Sequence, residues 1–277
     1  MSPARRAAGE VRPAGTARPA RRPAPAVRRA ARAARTLAGA VAPAGLEARI
    51  ARLDWAAIGQ TLDERGFATT GPLLTPGECA AAIALWDDPA RFRSRVDMAR
   101  HRFGEGEYRY FAAPLPPLVA TLRRRLYPRL APVASRWASR LREAPFPAGL
   151  EAFLRRCARR GQTRPTPLLL RYEAGGYNCL HQDIYGPVAF PLQVTLLLSR
   201  PGHDFTGGQF LLVEQRPRAQ SRGEAVELGQ GEAIVFATRH RPVAGGRGAY
   251  RVAVRHGVSR LASGLRVTLG IIFHDAA

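Results

Sequence analysis

After Gly161 the sequence is a succession of short apolar runs separated by glycine, proline and charged residues. Each run is five to nine residues long, and no helical repeat stands between one run and the next. Turn signals such as Gly207-Gly208 fall between them. Strands that follow one another without helices form antiparallel sheets, so this half of the chain predicts a sandwich or barrel. The runs lie at 167–172, 190–198, 209–214, 233–237, 250–255 and 265–273.

The preceding part of the chain has apolar residues at helical spacing instead. One helical pattern begins at Leu46, and Gly66 is expected to end it. A second helix is expected after Thr75, because a threonine can cap the first turn and Pro76 suits the first helical position. Glu78, three residues after Thr75, completes a capping box.

Two further helices are predicted before the β-rich half. Residues 117–143 carry leucines at helical spacing, and Pro128 and Pro132 are expected to kink or split this helix. Residues 147–159 predict a shorter helix. The chain is therefore divided into a tail at 1–44, a mainly helical region at 45–160 and a β-rich core at 161–277, which together predict an α+β fold.

The formal net charge of +22 is the strongest compositional signal, and all 43 basic residues are arginines. Arginines neutralise phosphates, so the charge favours a polyanionic partner such as nucleic acid. A codon bias that turns every basic position into arginine is the alternative explanation. Residues 1–44 are mostly alanine, arginine and proline without apolar periodicity, which predicts a disordered tail. The same composition is compatible with a transit peptide or with translation that begins downstream.

The three cysteines are sparse and include no CxxC pair. That pattern favours a reducing cytoplasm over a disulfide scaffold or a cysteine-based zinc site. The chain has no secretory signal pattern and no apolar stretch of membrane-spanning length, so no membrane partner is expected. Composition does not indicate an oligomeric state.

The segment from Tyr172 to Asp183 is the most informative part of the sequence. His181 and Asp183 are two residues apart, and on an extended strand residues i and i+2 point to the same side. An imidazole and a carboxylate so placed can chelate one metal ion. A second histidine from a distant strand would complete a two-histidine, one-carboxylate triad. His256 and His240 are the candidates for it.

The HxD motif and a His…Arg pair ten residues apart, on a β-rich half, resemble the 2-oxoglutarate/Fe(II)-dependent dioxygenase superfamily. The pattern Tyr172…Gly175-Gly176…His181-x-Asp183 resembles its prolyl-hydroxylase branch. Residues 46–277 resemble a bacterial oxygenase family associated with oxidative repair of methylated DNA. Its marks here are Arg171-Tyr172, Tyr177-Asn178-Cys179-Leu180-His181-Gln182-Asp183, Phe205-Thr206-Gly207-Gly208, Glu214-Gln215-Arg216-Pro217-Arg218 and His256-Gly257-Val258-Ser259-Arg260.

This resemblance implies a double-stranded β-helix, a jelly-roll of the cupin kind, with the helical half packed on it. It implies Fe(II) held by His181, Asp183 and His256, with 2-oxoglutarate as co-substrate and O₂ as oxidant. Arg266 would bind the far carboxylate of 2-oxoglutarate, because guanidinium grips carboxylate with two hydrogen bonds. His256 is favoured over His240, since a tyrosine stands ten residues after His240.

Two further residues are assigned to the co-substrate. Tyr172 would bond it, as in the prolyl-hydroxylase branch, and Thr268 lies on the same side of its strand as Arg266. The alternative for Tyr172 is a core aromatic, and the alternative for Arg266 is a surface position on an edge strand. Prolyl hydroxylases usually carry lysine where Arg266 stands, which leaves the branch open.

Other polar residues have less specific interpretations. His101 is expected at the surface, His203 and Asp204 in a solvated turn, and His274-Asp275 in a disordered chain end. The aromatic and cationic segment Arg109-Tyr110-Phe111 predicts either a base-stacking site or a buried strand. Arginines in loops between the late strands are candidate phosphate contacts at the pocket mouth or simply solvated: Arg216, Arg218, Arg222, Arg239, Arg241 and Arg247.

Three functions remain open from the sequence. The first is a dioxygenase that demethylates an alkylated nucleic-acid base, which the basic charge favours. The second is a hydroxylase of a prolyl residue, another protein side chain or a small molecule, which the Tyr-Gly-Gly-HxD pattern favours. The third is a β-barrel binding protein without turnover.

Overall fold

The computed structural model describes residues 43–246 and 248–277, so most of the predicted tail and Arg247 lie outside the described residues. The helices are α1 (Pro43–Arg52), α2 (Trp55–Arg65), α3 (Pro76–Ala84), α4 (Pro117–Arg140) and α5 (Leu150–Ala158), with short 3₁₀ turns at Leu85–Asp87, Pro89–Arg91 and Ala99–His101. The early strands are β1 (Phe67–Pro72), β2 (Phe92–Asp97), β3 (Gly104–Glu105), β4 (Glu107–Phe111), β5 (Leu168–Glu173), β6 (Tyr177–His181) and β7 (Leu192–Leu197). The late strands are β8 (Phe205–Gly207), β9 (Phe210–Gln215), β10 (Arg222–Val226), β11 (Glu232–Ala237), β12 (His240–Gly245), β13 (Gly248–Val258) and β14 (Leu261–Ile271).

Eight strands of the C-terminal half form two four-stranded antiparallel layers. The larger sheet contains the order β11-β7-β14-β5, and the smaller sheet contains the order β10-β9-β13-β6. Along the chain these strands alternate between the layers except at the β9–β10 hairpin, with β5, β7, β11 and β14 on one side and β6, β9, β10 and β13 on the other. This is the strand order of a double-stranded β-helix, and the predicted α+β fold is confirmed.

The N-terminal half also contributes strands, which the helical prediction for residues 45–160 did not include. β1 pairs with β11 at one end of the larger sheet, and β4 and β2 extend its other end beyond β5. β3 adds to the edge of the smaller sheet by pairing with β6. Because these pairings connect the two halves, the sheets cross the predicted boundary at residue 160. The three-part domain division itself stays a prediction.

The helix termini follow local sequence chemistry. Thr75 accepts a hydrogen bond from the Glu78 backbone N–H at 3.2 Å, and the Glu78 carboxylate accepts from the Thr75 N–H at 2.7 Å. The predicted capping box is thus present. Gly66 ends α2 in the left-handed conformation at φ 80°. The pattern predicted as one helix from Leu46 is broken, because the Asp54 side chain caps a new helix by accepting from the Ala57 N–H.

Helix α4 packs across the sandwich as one uninterrupted helix. Pro128 and Pro132 both lie inside it, so the expected split does not occur. Its buried face includes Leu126, Tyr127 and Trp137, each at most 2% exposed. Tyr127 and Phe190 contact each other with ring centroids 4.8 Å apart, which joins the helical layer to the larger sheet.

The chain end is buried and ordered, which contradicts the expectation for His274-Asp275. His274 is fully buried and its carbonyl accepts from the Thr166 hydroxyl at 2.5 Å. The Arg123 guanidinium of α4 donates to the Asp275 carboxylate at 2.7 Å and to the Phe273 carbonyl at 2.8 Å. The side chains of α4 and of Gln162 pair the polar groups of this segment, so it is held in place although it ends the chain.

A membrane-spanning helix is not found in the part of the chain that the structure describes: no helix there combines the necessary length and apolar character.

Candidate metal centre

Adjacent strands of the smaller sheet bring the predicted triad together. His181, the last residue of β6, stands directly opposite His256 of β13 in the antiparallel register. Asp183 follows β6 by two residues. The ring centroids of the two histidines are 4.2 Å apart. The described part of the chain holds one such group of three, with a donor atom from each residue within 4.8 Å of the other two.

The donor atoms of the triad converge. His181 Nε2 lies 3.5 Å from Asp183 Oδ1, and His256 Nε2 lies 3.2 Å from Asp183 Oδ2. The Nδ1–H of His181 donates to the Cys179 carbonyl at 2.8 Å, in the tautomer that leaves Nε2 free for a metal. Two imidazole nitrogens and one carboxylate suit iron or zinc, and such a set leaves coordination positions open. The residues present therefore fit a catalytic metal.

The ionisation of Asp183 and His256 suits metal binding, whereas the hydrogen bond and charge of Asp183 outweigh burial and raise the pKa of His181. Burial alone raises the pKa of the Asp183 carboxyl, but hydrogen bonds from His181 and His256 hold that pKa well below its ordinary value. Burial together with the nearby charge of His181 lowers the pKa of His256, so this imidazole is neutral at neutral pH. A carboxylate and a neutral imidazole are the forms that ligate a metal.

Two side chains that the sequence did not single out hold the Asp183 carboxylate. The Tyr185 hydroxyl donates to Oδ1 at 2.6 Å, and the Gln193 amide donates to Oδ2 at 3.0 Å. Tyr110 donates in turn to the Tyr185 hydroxyl at 2.8 Å. Tyr185 lies two residues after Asp183, but Gln193 lies on β7 of the opposite sheet, so only the fold reveals its role.

We expect Tyr185→Phe and Gln193→Leu each to weaken Fe(II) binding about 10- to 100-fold, the usual effect of losing a residue that orients a ligand. Anaerobic titration calorimetry measures the affinity. Tyr250→Phe, on the distant β13 end, is the matched control and should bind Fe(II) like the wild type. Wild-type affinity in both variants would show that these contacts do not orient Asp183.

A cavity of about 340 Å³ opens beside the triad, between the two sheets. Its walls combine apolar side chains of the larger sheet, such as Leu168 and Leu170, with the triad itself. Arg266 of β14 also lines it, although only 2% of this residue is exposed. Its Nε and Nη1 atoms have no hydrogen-bond partner among the described residues. Burial lowers the Arg266 pKa to about 10, so the guanidinium is still charged at neutral pH.

Tyr172 and Thr268 line the same cavity as Arg266. Tyr172 is fully buried directly opposite Arg266 in the β5–β14 register, and its hydroxyl accepts from the Asn178 amide at 3.1 Å. Burial raises the pKa of that hydroxyl to about 12. Thr268 is 2% exposed, two residues after Arg266 on the same side of β14. The alternative of a surface arginine on an edge strand is therefore wrong, because β14 is an interior strand.

Other sequence candidates lie away from the triad. His240 lies on β12 opposite Ala253 and is not among the residues that line the cavity. Of Arg109-Tyr110-Phe111, the tyrosine lines the cavity, while Arg109 pairs with Glu107 at 2.6 Å and Phe111 is fully buried. The segment is a strand, as the alternative interpretation held.

The described loop arginines are not among the residues that line the cavity, and their place at its mouth stays a prediction. Arg216 and Arg241 both pair with Glu214, at 2.7 and 2.6 Å, and Arg241 is 3% exposed. Arg222 pairs with Glu224 at 2.6 Å. Arg218 has a positive φ of 58°, which is typical of a tight turn. Arg239 is exposed.

Several solved structures resemble this chain at low sequence identity. A prolyl-4-hydroxylase of Pseudomonas putida is 15% identical with a TM-score of 0.45, over 80% of this chain and 99% of that one. An oxidoreductase of the 2OG-Fe(II) oxygenase family from Burkholderia pseudomallei is 16% identical with a TM-score of 0.47, over 80% of this chain and 93% of that one.

Sequence comparison gives closer relatives. Two uncharacterised proteins of Mycobacterium tuberculosis, from strains CDC 1551 and H37Rv, are each 53% identical over 168 residues, which is 60% of this chain and 72% of theirs. Residues 106–276 match the model of the Oxygenase-NA family, described as an oxygenase catalysing oxidative methylation of damaged DNA. That match covers β4 to the chain end and includes the triad, the cavity strands and Arg266. The prediction of an oxygenase is confirmed, and the chain belongs to the Oxygenase-NA family of oxygenases.

Proposed function

We propose that this oxygenase is a 2-oxoglutarate- and Fe(II)-dependent dioxygenase, with His181, Asp183 and His256 as the iron ligands. The histidine–carboxylate set alone suits a zinc hydrolase as well as an iron oxygenase. The observation that carries the proposal is Arg266, a charged and buried guanidinium without an anion, in the cavity that the triad lines. A buried charge is costly unless it is paired, so this position suits a ligand with a carboxylate.

The residues around Arg266 suit the co-substrate. Arg266 would bind the far carboxylate of 2-oxoglutarate, and the keto acid end of the co-substrate would then face the triad. Thr268 adds a hydroxyl on the same face of β14, and the Tyr172 hydroxyl accepts from Asn178 and can still donate to the ligand. The aromatic rings of Tyr172 and Phe205, each centred 5.9 Å from the Arg266 guanidinium carbon, enclose the cation.

Iron with 2-oxoglutarate and O₂ supplies the oxidation, in which 2-oxoglutarate yields succinate and CO₂ while an unactivated C–H bond of the substrate is hydroxylated. The protein orients the metal ligands and the substrates and excludes water from the pocket. Tyr185 and Gln193 fix both oxygens of Asp183, and the Cys179 carbonyl fixes the His181 ring. Leu168, Leu170 and Ile272 line the cavity with apolar surface, which limits the access of water to the reacting bond.

We infer that the substrate is an alkylated base of nucleic acid. The family description names damaged DNA, and the formal charge of +22 favours a polyanion. Hydroxylation of an N-methyl group gives a product that releases formaldehyde, which restores the base. A prolyl, other protein or small-molecule substrate is the alternative that the Tyr-Gly-Gly-HxD pattern suggests. The cytoplasmic location inferred from the cysteines stays a prediction.

The test is a turnover screen of the full chain with Fe(II), 2-oxoglutarate and O₂. Methylated oligonucleotides, proline-containing peptides and free amino acids are supplied in parallel, and succinate and formaldehyde are measured. We expect formaldehyde to form with a methylated oligonucleotide in proportion to succinate, and Asp183→Ala to form neither. Succinate formation that requires a peptide or an amino acid, and not a methylated oligonucleotide, would overturn the substrate assignment. The absence of Fe(II)-dependent succinate with every substrate would overturn the dioxygenase assignment.

A further inference from the structure

The two most exposed large apolar side chains of the described residues lie at the mouth of this one cavity. Phe103 is 47% exposed and Leu180 is 43% exposed, and both contribute to the cavity lining. Single exposed hydrophobic residues are common on protein surfaces. Their convergence at one opening is informative, because Leu180 immediately precedes His181, so the triad lies next to it.

The turn that carries Phe103 is held firmly. The Phe103 N–H donates to the Met98 carbonyl at 3.1 Å, and its carbonyl accepts from the Cys179 N–H at 2.8 Å. The next residue, Gly104, has φ 128°, and a Cβ there would lie 2.3 Å from the Tyr177 carbonyl oxygen. The turn is therefore fixed against β6, and it presents the Phe103 ring to solvent rather than to the core.

The Phe103 ring already has one stacked neighbour. The His101 ring lies nearly parallel to it, with centroids 5.4 Å apart and an interplanar angle of 22°. Both residues are exposed. An exposed aromatic ring braced in this way is suited to stack against another flat ring, which is how proteins hold bases of single-stranded nucleic acid.

Arginines without acidic partners flank the mouth. Arg102 lies between His101 and Phe103, lines the cavity and forms no ion pair with any described residue. In the smaller sheet β6 lies between β3 and β13, so the Phe103 turn and the chain that packs on β13 are on opposite sides of β6. The exposed Arg239 lies on the β13 side, because the Gln182 amide, which lines the cavity, donates to the carbonyls of Arg239 and Val254 at 3.1 and 2.8 Å. This spacing of cations around an aromatic ring suits phosphates on either side of a base.

We propose that Phe103 and Leu180 form a wedge that holds a nucleic-acid strand with its target base turned out of the stack and into the cavity, while Arg102 and Arg239 contact phosphates. The inference rests on the proposed function and specifies the substrate as an unstacked base. A base inside a duplex cannot reach a metal centre that lies behind the mouth, so it must leave the stack. An apolar side chain then fills the gap or stacks on the neighbouring base.

The experiment uses the full chain and a fluorescein-labelled oligonucleotide that carries one 2-aminopurine, an adenine analogue that brightens when it leaves the stack. We expect Phe103→Ala to weaken binding of the single strand about tenfold, the usual effect of losing one stacked base. We also expect it to abolish the rise in 2-aminopurine fluorescence on a mismatched duplex. Phe103→Trp keeps an aromatic ring and should retain both signals.

Charge is tested separately. We expect Arg102→Ala to reduce the slope of log affinity against log salt by about one. Arg129→Ala removes the same charge from the exposed surface of α4 and is the matched control, which should leave 2-aminopurine brightening unchanged. An equal loss of oligonucleotide affinity and of 2-aminopurine brightening in both arginine variants would mean that the general positive charge, and not the mouth, binds the strand. That result would overturn the proposal.

The result distinguishes this inference from the proposed function. Binding of Fe(II) and of 2-oxoglutarate is measured in Phe103→Ala by calorimetry and by the shift in melting temperature, and both should match the wild type. Wild-type oligonucleotide binding and brightening in Phe103→Ala would overturn the wedge and leave the dioxygenase assignment intact. Binding of a proline-containing peptide through Phe103, without oligonucleotide binding, would overturn the nucleic-acid assignment alone.

Discussion

His256→Ala is expected to lower Fe(II)-dependent succinate formation by more than about 100-fold, because losing a ligand costs more than losing a residue that orients one. The remaining pair, His181 and Asp183, offers one imidazole and one carboxylate to the metal. Iron affinity, measured anaerobically by calorimetry, should fall together with turnover. Only 7% of His256 is exposed, so circular dichroism and the melting temperature must first show that the variant is folded.

His240→Ala is the matched control, since it removes the same side chain from the other histidine that the sequence offered as a ligand. His240 lies on β12 outside the cavity lining, so its loss should change turnover by no more than about twofold, as for most surface substitutions. If His240→Ala abolished iron binding while His256→Ala retained it, the triad would be wrong. An equal loss of iron binding in His240→Ala and His256→Ala would indicate a general effect on the smaller sheet.

The sequence was most informative where local chemistry decides structure. Thr75 and Glu78 form the capping box that their spacing predicts, and the short apolar runs became the strands of the sandwich. His181 and Asp183 are two residues apart, so their convergence is a local property of an extended chain. The pairing of His256 with His181 depends on the register of β13 against β6. Only the resemblance to a family made that register predictable.

What the sequence did not reveal depends on contacts between distant segments. Gln193 donates to the Asp183 carboxylate from β7, and nothing in the sequence of its own strand indicates this role. The four N-terminal strands are short and became part of the sheets because β5, β6 and β11 offered free edges. His274 was expected in a disordered end, but the polar groups of this segment pair with α4 and with Thr166 and Gln162. Tertiary hydrogen bonds therefore override the local expectation.

Arg266→Met should change co-substrate binding and stability in opposite directions. Without the guanidinium, the far carboxylate of 2-oxoglutarate loses two charge-assisted hydrogen bonds, so its KM should rise about 100-fold or more. The ligand-free protein should melt at a higher temperature than the wild type, because an unpaired buried cation is replaced by an apolar chain of similar length. Steady-state kinetics and thermal melts without ligand measure the two effects.

Arg241→Met is the matched control for this prediction, since Arg241 is equally buried at 3% exposure but is paired with Glu214 at 2.6 Å. Its removal leaves the Glu214 carboxylate with Arg216 as its remaining partner, so the free energy of unfolding should fall by about 2–3 kcal/mol, the usual value of a hydrogen bond to a charged group. The two buried arginines thus differ in their partners: Arg241 is paired with an anion, whereas Arg266 is charged and has none among the described residues. Addition of 2-oxoglutarate should raise the melting temperature of the wild type and of Arg241→Met, but not of Arg266→Met. If Arg266→Met were destabilised and still shifted by 2-oxoglutarate, Arg266 would be a structural residue and the co-substrate carboxylate would bind elsewhere.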